Sequence, residues 1–496
     1  MDTGPGPNPD PSAPGAGLAS AVVPDLVQLD AVELSWSIRR REVSCAEVMN
    51  AFLAHIDRFN PLVNAIVSRV DDDLLRQRAR QRDEELERGE YRGWMHGFPI
   101  AVKDMADAEG FPTTMGSPIL ERNYPAADEL AVRRMREAGA IVVGKTNVPE
   151  FGLGSHTFNP VFGTTGNPYD PQRSAGGSSG GAAAALAMRM LPVADGSDFM
   201  GSLRNPAAFC NVLGLRPSFG RIPAEGFVSE PAVLGPMGRT VRDTAMLLST
   251  MAGPDDRAPL AVEQDPAIFT EPLERDLRGT KIGWVGDFDG HLPTEDGVLQ
   301  LCTSSFATFT GVGCSVEPIS TALPIEQAWR TFLLWRHWMQ GTKLAHLHDD
   351  PATREQLKPE AVFELEGYRS LTAPDIAEAL EGRNRWHAAV SALLDEYDFL
   401  LAPTAQVFPF DAELRWPDRI AGRPMDTYHR WMETVAPWTL SGHPVVNLPA
   451  GFGSAGLPTG VQLIGRHRDE LSLLRVAHAY EQASDWVHRV LPPALR

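Results

Sequence analysis

Cysteine is scarce in this chain. Cys45, Cys210, Cys302 and Cys314 are the four in 496 residues, and no two form a C-x-x-C pair. That excludes a disulfide framework, a zinc ribbon and a dithiol redox centre, and makes a reducing cytoplasm the expected setting. Basic charge is also short: 45 Lys and Arg stand against 64 Asp and Glu, for a net charge of −19. With no Lys/Arg stripe to offset that excess, the chain is not expected to bind nucleic acid, because phosphate backbones reward cationic surfaces. Long apolar runs are missing too, so no membrane span is expected. The chain opens Met1-Asp2 and runs into Pro and Gly. It has no basic segment followed by an apolar one, so no ordinary secretory signal is read there.

What is present is ordinary for a soluble globular protein: 43% hydrophobic and 22% charged residues. A chain of this length buries roughly three quarters of its unfolded surface and needs no metal or disulfide to hold it. Length alone suggests about two to four domains. Residues 1–25 are rich in Pro, Gly and Ala. They offer too little apolar surface to order themselves and read as a disordered tail. Organised patterning covers 26–496.

Leu34, Ile38, Val43, Val48, Phe52 and Ile56 recur at helical spacing, and 71–90 reads as a charged helix. From Gly97, short β-rich runs (PIAVK, AIVVG, VLGL) alternate with helical or glycine-rich stretches, which predicts an α/β core. TKIGWVG, YDFLLAP, HPVVNLP and LPTGVQLI read as further strands, and 469–484 as a closing helix. Between about 318 and 438 lies a Trp-rich, mostly helical section.

Two formal motif matches lack their context. Gly139 to Thr146 fits G-x-x-x-x-G-K-[ST], but Ile141, Val142 and Val143 predict a strand where a phosphate loop needs a turn. Gly176 to Gly180 fits G-x-S-x-G, yet the residues before it contain Pro168 and Pro171 and read as a loop. A nucleophile elbow needs a buried strand there. The broader stretch from Ser174 to Arg204 is more informative. A glycine-rich loop enters an alanine-rich helix (182–190), a short strand follows (191–194), and a second loop ends in Gly201-Ser202-Leu203-Arg204. Backbone N–H groups of Phe199, Met200, Gly201 and Ser202 could form a nest for a developing oxyanion.

This stretch resembles the amidase signature family, the Ser–cis-Ser–Lys hydrolases. Gly97-Phe-Pro-Ile-Ala-Val-Lys103-Asp104 is similar to its lysine motif. Thr113 to Ser117, Gly144 to Gly152 and Gly163 to Pro168 are similar to its next blocks, and Pro449 to Phe452 and Gly456 to Gly465 to its closing ones. The resemblance runs in order from about residue 30 to 485. It implies one large α/β domain with a mixed, twisted sheet surrounded by helices, rather than several domains.

Carried over, the resemblance makes Ser202 the nucleophile, Ser178 a bridging serine on a cis peptide after Gly177, and Lys103 the base. Asp198 and Arg204 match residues that brace the nucleophile loop. Gly152 falls where the family places a backbone carbonyl in the substrate pocket, and Phe199, Met200 and Gly201 fall at the oxyanion hole. The implied reaction is hydrolysis of a carboxylic amide through an acyl-enzyme, with no metal or organic cofactor. Anilides, esters and carbamates share that acyl chemistry. Lysine serves as a base only if burial or cationic neighbours lower its pKa from about 10.4, and the apolar strand before Lys103 suits this. Asp104 is expected to face the other way.

One departure stands out: the family's Gly-Gly-Ser is here Met200-Gly201-Ser202. A positive φ at Met200 would bring strain; an ordinary φ would narrow the hole on the acyl side. His346, His348, Asp349 and Asp350 are expected on an exposed helix end rather than around a metal. Trp329, Trp335, Trp338, Trp431 and Trp438 are expected in the core or the substrate pocket wall. The expected partner is a small-molecule amide, and the expected state a monomer or homodimer. Two alternatives remain: the amidase component of a tRNA-dependent amidotransferase, and a non-catalytic amidase-like binding protein.

Overall fold

Runs such as FLLAP and PTGVQLI are too short for helices and too apolar for one wet face, so they form strands buried on both sides. The computed structural model describes residues 25–319 and 323–496. The expected tail lies, but for Asp25, outside the described residues. Eight strands form a mixed sheet in the spatial order Ser315–Pro318, Lys281–Trp284, Phe399–Pro403, Pro458–Ile464, Val445–Phe452, Leu213–Arg216, Val233–Gly238 and Ala194–Asp198. The first three run parallel, and every later pairing is antiparallel. A smaller sheet joins Ile66–Val67, Ile141–Thr146 and Pro99–Lys103. It abuts the Ala194–Asp198 edge, where the Lys103 N–H donates to the Asp195 carboxylate at 3.1 Å.

The helical patterns settle around these sheets. Leu34 and Ile38 are buried on Ala31–Arg39, and Val48, Phe52 and Ile56 on Cys45–Val63. Arg41, at φ 60°, breaks the two apart, and Ser44 and Glu47 form a reciprocal cap at the second start. The charged helix is Asp72–Glu87 and the closing helix Glu470–Ser484. Residues 141–146 are all strand, so the formal phosphate-loop match has no loop.

Two boundaries differ from expectation. The alanine-rich helix spans Gly180–Ala187 rather than 182–190. Gly181 lets it close on the small sheet, since a Cβ there would sit 2.3 Å from the Asn147 backbone N. The strand expected at 191–194 instead covers Ala194–Asp198. It pairs with Val233–Gly238, a strand that its internal Gly-Pro disguises. An edge position lets ADGSD be polar, which hides it from hydrophobic patterning.

The Trp-rich section holds three long helices: Ile325–Asp349, Pro359–Ser370 and Ala373–Glu396. Trp335, Trp386 and Trp438 pack with Leu400, Ala402, Val445 and Ile464 of the large sheet, which anchors the section to the core. No described helix is long and apolar enough to cross a membrane.

Candidate active site

The apolar strand Pro99–Lys103 carries Lys103 into the interior, where 1% of it is exposed. Its side-chain nitrogen reaches Ser178 Oγ at 2.9 Å, Ser179 Oγ at 2.8 Å, Ser197 Oγ at 2.9 Å and the Ser197 carbonyl at 3.3 Å. Burial pulls the lysine down to about 7, against the opposing pull of Asp195 and Asp198. Asp104 does face away. It accepts from Thr114 and lies 3.7 Å from Lys145.

Ser178 follows a cis peptide after Gly177. Ser155 Oγ donates to the Gly177 carbonyl at 2.6 Å, and Thr157 Oγ1 to that of Gly176 at 2.8 Å. The Ser179 N–H donates to the Ser202 carbonyl at 3.2 Å, which ties the two serine loops together.

Asp198 organises the second loop. It accepts from the N–H groups of Gly201 at 2.8 Å and Leu203 at 3.2 Å, and from Arg204 Nε at 2.9 Å. Burial opposes its charge, but Arg204 and Arg216 outweigh burial and hold it at about 2. Arg204 continues outward to Gln462 and Thr439, both at 2.8 Å. Gly201 takes φ 79°, and a Cβ there would lie 2.7 Å from Val435 Cγ2. Its N–H is committed to Asp198, so its visible contribution is conformational. Met200 takes no positive φ, and the strain considered for it does not arise. Its side chain packs among Phe209, Phe332 and Trp431.

Ser178 and Ser202 open into one cavity of about 520 Å³, a size suited to a small organic ligand. Met105, Met115, Met200 and Met432 line it with Phe151 and Phe199. Gly152 (φ 67°) sits beside Ser178: a Cβ there would be 3.7 Å from Ser178 Oγ and 2.6 Å from Met105 Cε. The tryptophans take the core half of their expectation and do not line this cavity. Indole N–H groups need acceptors when buried, and two of these find backbone carbonyls behind the wall. Trp335 donates to Ala379 at 2.9 Å and Trp431 to Tyr428 at 3.1 Å. His346, Asp349 and Asp350 are exposed at the end of the long helix, as expected, whereas His348 is half-buried, and His346 reaches the cavity.

Sequence reasoning missed Ser179, Ser197 and Asp195. Ser179 adjoins Ser178 in the chain. Asp195 and Ser197 share a strand face, a relation that becomes visible only once the strand is placed at 194–198. The group of described residues within metal-ligand reach is His291, Glu326 and Glu433. Arg430 already pairs with both carboxylates, at 3.1 and 2.9 Å.

A buried lysine hydrogen-bonded to a serine thus lies beside an apolar cavity that holds a second serine, and similarity to known proteins gives the class, a hydrolase acting on C–N amide bonds. The Amidase family model matches residues 47–474, and the chain belongs to that family. The Rhodococcus erythropolis acylamidase is 32% identical over 93% of this chain and 96% of its own. A glutamyl-tRNA(Gln) amidotransferase subunit of Thermus thermophilus is 35% identical over 93% and 98%. The crystal structure of a bacterial aryl acylamidase of the amidase signature family superposes with a TM-score of 0.85 at 28% identity, covering 92% of this chain and 97% of that one.

Proposed function

We propose that this chain hydrolyses small carboxylic amides, anilides among them, with Ser202 as nucleophile, Ser178 as bridge and Lys103 as base. The observation that carries this reading is the 2.9 Å bond from Lys103 to Ser178 with the lysine held near 7. A neutral amine has two N–H groups and one lone pair. The Ser197 carbonyl can only accept, so it takes one N–H, and a neighbouring hydroxyl takes the other. The lone pair then receives the Ser178 proton as Ser178 takes that of Ser202. Ser202 Oγ attacks the amide carbon, and the N–H groups of Phe199, Met200 and Ser202 receive the oxyanion. Ser178 returns a proton to the leaving nitrogen, and water releases the acyl group. Esters and carbamates follow the same path. On this reading the enzyme is cytoplasmic, acts as a monomer or homodimer, and its Trp-rich section shapes substrate choice through the long helix.

The test is turnover on an amide, anilide, ester and carbamate panel, with fluorophosphonate labelling alongside. Ser202→Ala is expected to lose about 10⁴-fold or more in kcat and all labelling. No turnover and no labelling of the wild type overturns the reading. The similarity to amidotransferase subunits supports a second reading, in which glutamine is hydrolysed only when partner proteins are present. Glutaminase activity confined to such a mixture would favour it.

A further inference from the structure

The long helix Ile325–Asp349 presents Arg336, Gln340, Lys343 and His346 to the serine cavity, and no carboxylate lines that cavity among the described residues. Arg336 is the buried member, 3% exposed. Its Nε donates to Glu364 Oε1 at 2.7 Å, and its Nη2 to Tyr428 Oη at 2.6 Å. Its guanidinium lies 5.2 Å from the Phe199 ring centroid, beside the loop that carries Ser202. A guanidinium is a planar fork, so binding through Nε and Nη2 turns Nη1 to the other side. Nη1 donates to no protein atom among the described residues. Arg336 lines the cavity, so this uncommitted donor is open to an oxygen of a bound ligand, and a hydrogen bond from a charged group to such an oxygen is among the stronger ones.

We propose that this cavity selects amides whose non-reacting part ends in an oxygen acceptor, a carbonyl or a carboxylate, received by Arg336 Nη1. This rests on the hydrolase reading above and names its substrate class. Glu364 and Tyr428 make the site rigid: they fix the guanidinium before substrate arrives, so little ordering is left to binding. The apolar methionine wall holds the body of the substrate, and the arginine reads its far end.

The experiment compares matched anilides that differ at the far end: a carboxylate, an acetyl group and an isopropyl group of similar shape. The wild type is expected to favour the two oxygen-bearing members by about 10- to 100-fold in kcat/KM, mostly through KM. In the double variant Arg336→Met with Glu364→Gln, which strands no buried charge, that ratio is expected to fall near one. Structural damage alone lowers all three substrates together and leaves the ratio intact. A wild-type ratio near one overturns the proposal, as does a ratio that survives the double variant. Calorimetry of the same compounds on the Ser202→Ala chain separates this inference from the hydrolase reading. If nothing is hydrolysed but the oxygen-bearing compounds still bind about tenfold more tightly, only the hydrolase reading falls. Equal binding overturns the inference.

Discussion

Lys103 stands between two cavities of comparable size and opposite character. The serine cavity, about 520 Å³, is lined by methionine and phenylalanine with Arg336 and Lys343 and no acid among the described residues. The other, about 720 Å³, is lined by Lys103 itself and by acids that include Asp107, Asp128, Glu129, Asp195 and Glu230. Met105, Ser197, Ala232 and Lys343 border both. The contrast separates two influences on one amine. Its desolvated surroundings disfavour the ammonium, whereas the acidic side favours it, and the lysine settles near 7 because desolvation is the larger. The acidic side opposes this shift without outweighing it, and burial acts on its acids as well. Burial raises Asp195 to about 6, and burial with the nearby Asp195 charge raises Glu129 to about 7.

Removing the group that joins the two sides should have the largest effect. Lys103→Met keeps the buried stem apolar and deletes the base. A positioned base contributes about 10²–10⁴-fold, so kcat on an anilide should fall by that factor. The circular dichroism spectrum should stay that of the wild type. A variant as active as the wild type would remove Lys103 from the chemistry and void the comparison.

The acidic side is tested through Asp195. Its ionised carboxylate favours the charged lysine, so deleting that charge lets the lysine lose its proton at lower pH. In the wild type, kcat/KM should rise with pH to a plateau above about 7, as Lys103 becomes neutral. Asp195→Asn keeps an acceptor for the Lys103 N–H and should move that rise to lower pH by up to about one pH unit. An unmoved acid limb would mean that the acidic cavity exerts no field on the base.

The same two regions explain what the sequence makes legible. Lys103, Ser178 and Ser202 each lie in a short segment of marked composition, an apolar strand or a glycine-bearing loop, and Asp198 is legible only through its place just before the nucleophile loop. Asp195 and Ser197 have neither mark. Hydrophobic patterning puts their strand three residues early, because its polar edge sequence carries no apolar signal. Arg336, Glu364 and Tyr428 are silent for a different reason. They meet across 28 and 92 residues of chain, and nothing local marks a residue whose partners arrive from other helices and loops. The tryptophans are conspicuous, yet composition does not say whether they face the ligand or back the wall.

That last point yields the smallest expected effect and the sharpest contrast within the serine cavity. Met200 lines the cavity and Trp335 lies behind it, each 2% exposed. Trp335→Ala opens a core void and removes the indole bond to the Ala379 carbonyl, so it should cost about 3–5 kcal/mol of stability and move KM little between acyl groups of different size. Met200→Ala removes side-chain volume at the ligand face, and the cavity can take up part of that space. It should shift the kcat/KM ratio between a bulky and a small acyl group by about 10-fold toward the bulky one, the low end of what one methylene in an apolar pocket discriminates, since Met200 forms only part of the wall. Thermal unfolding and the two-substrate ratio check the pair together. A Trp335→Ala chain that changes acyl preference more than Met200→Ala does would put the indole, not the thioether, at the substrate.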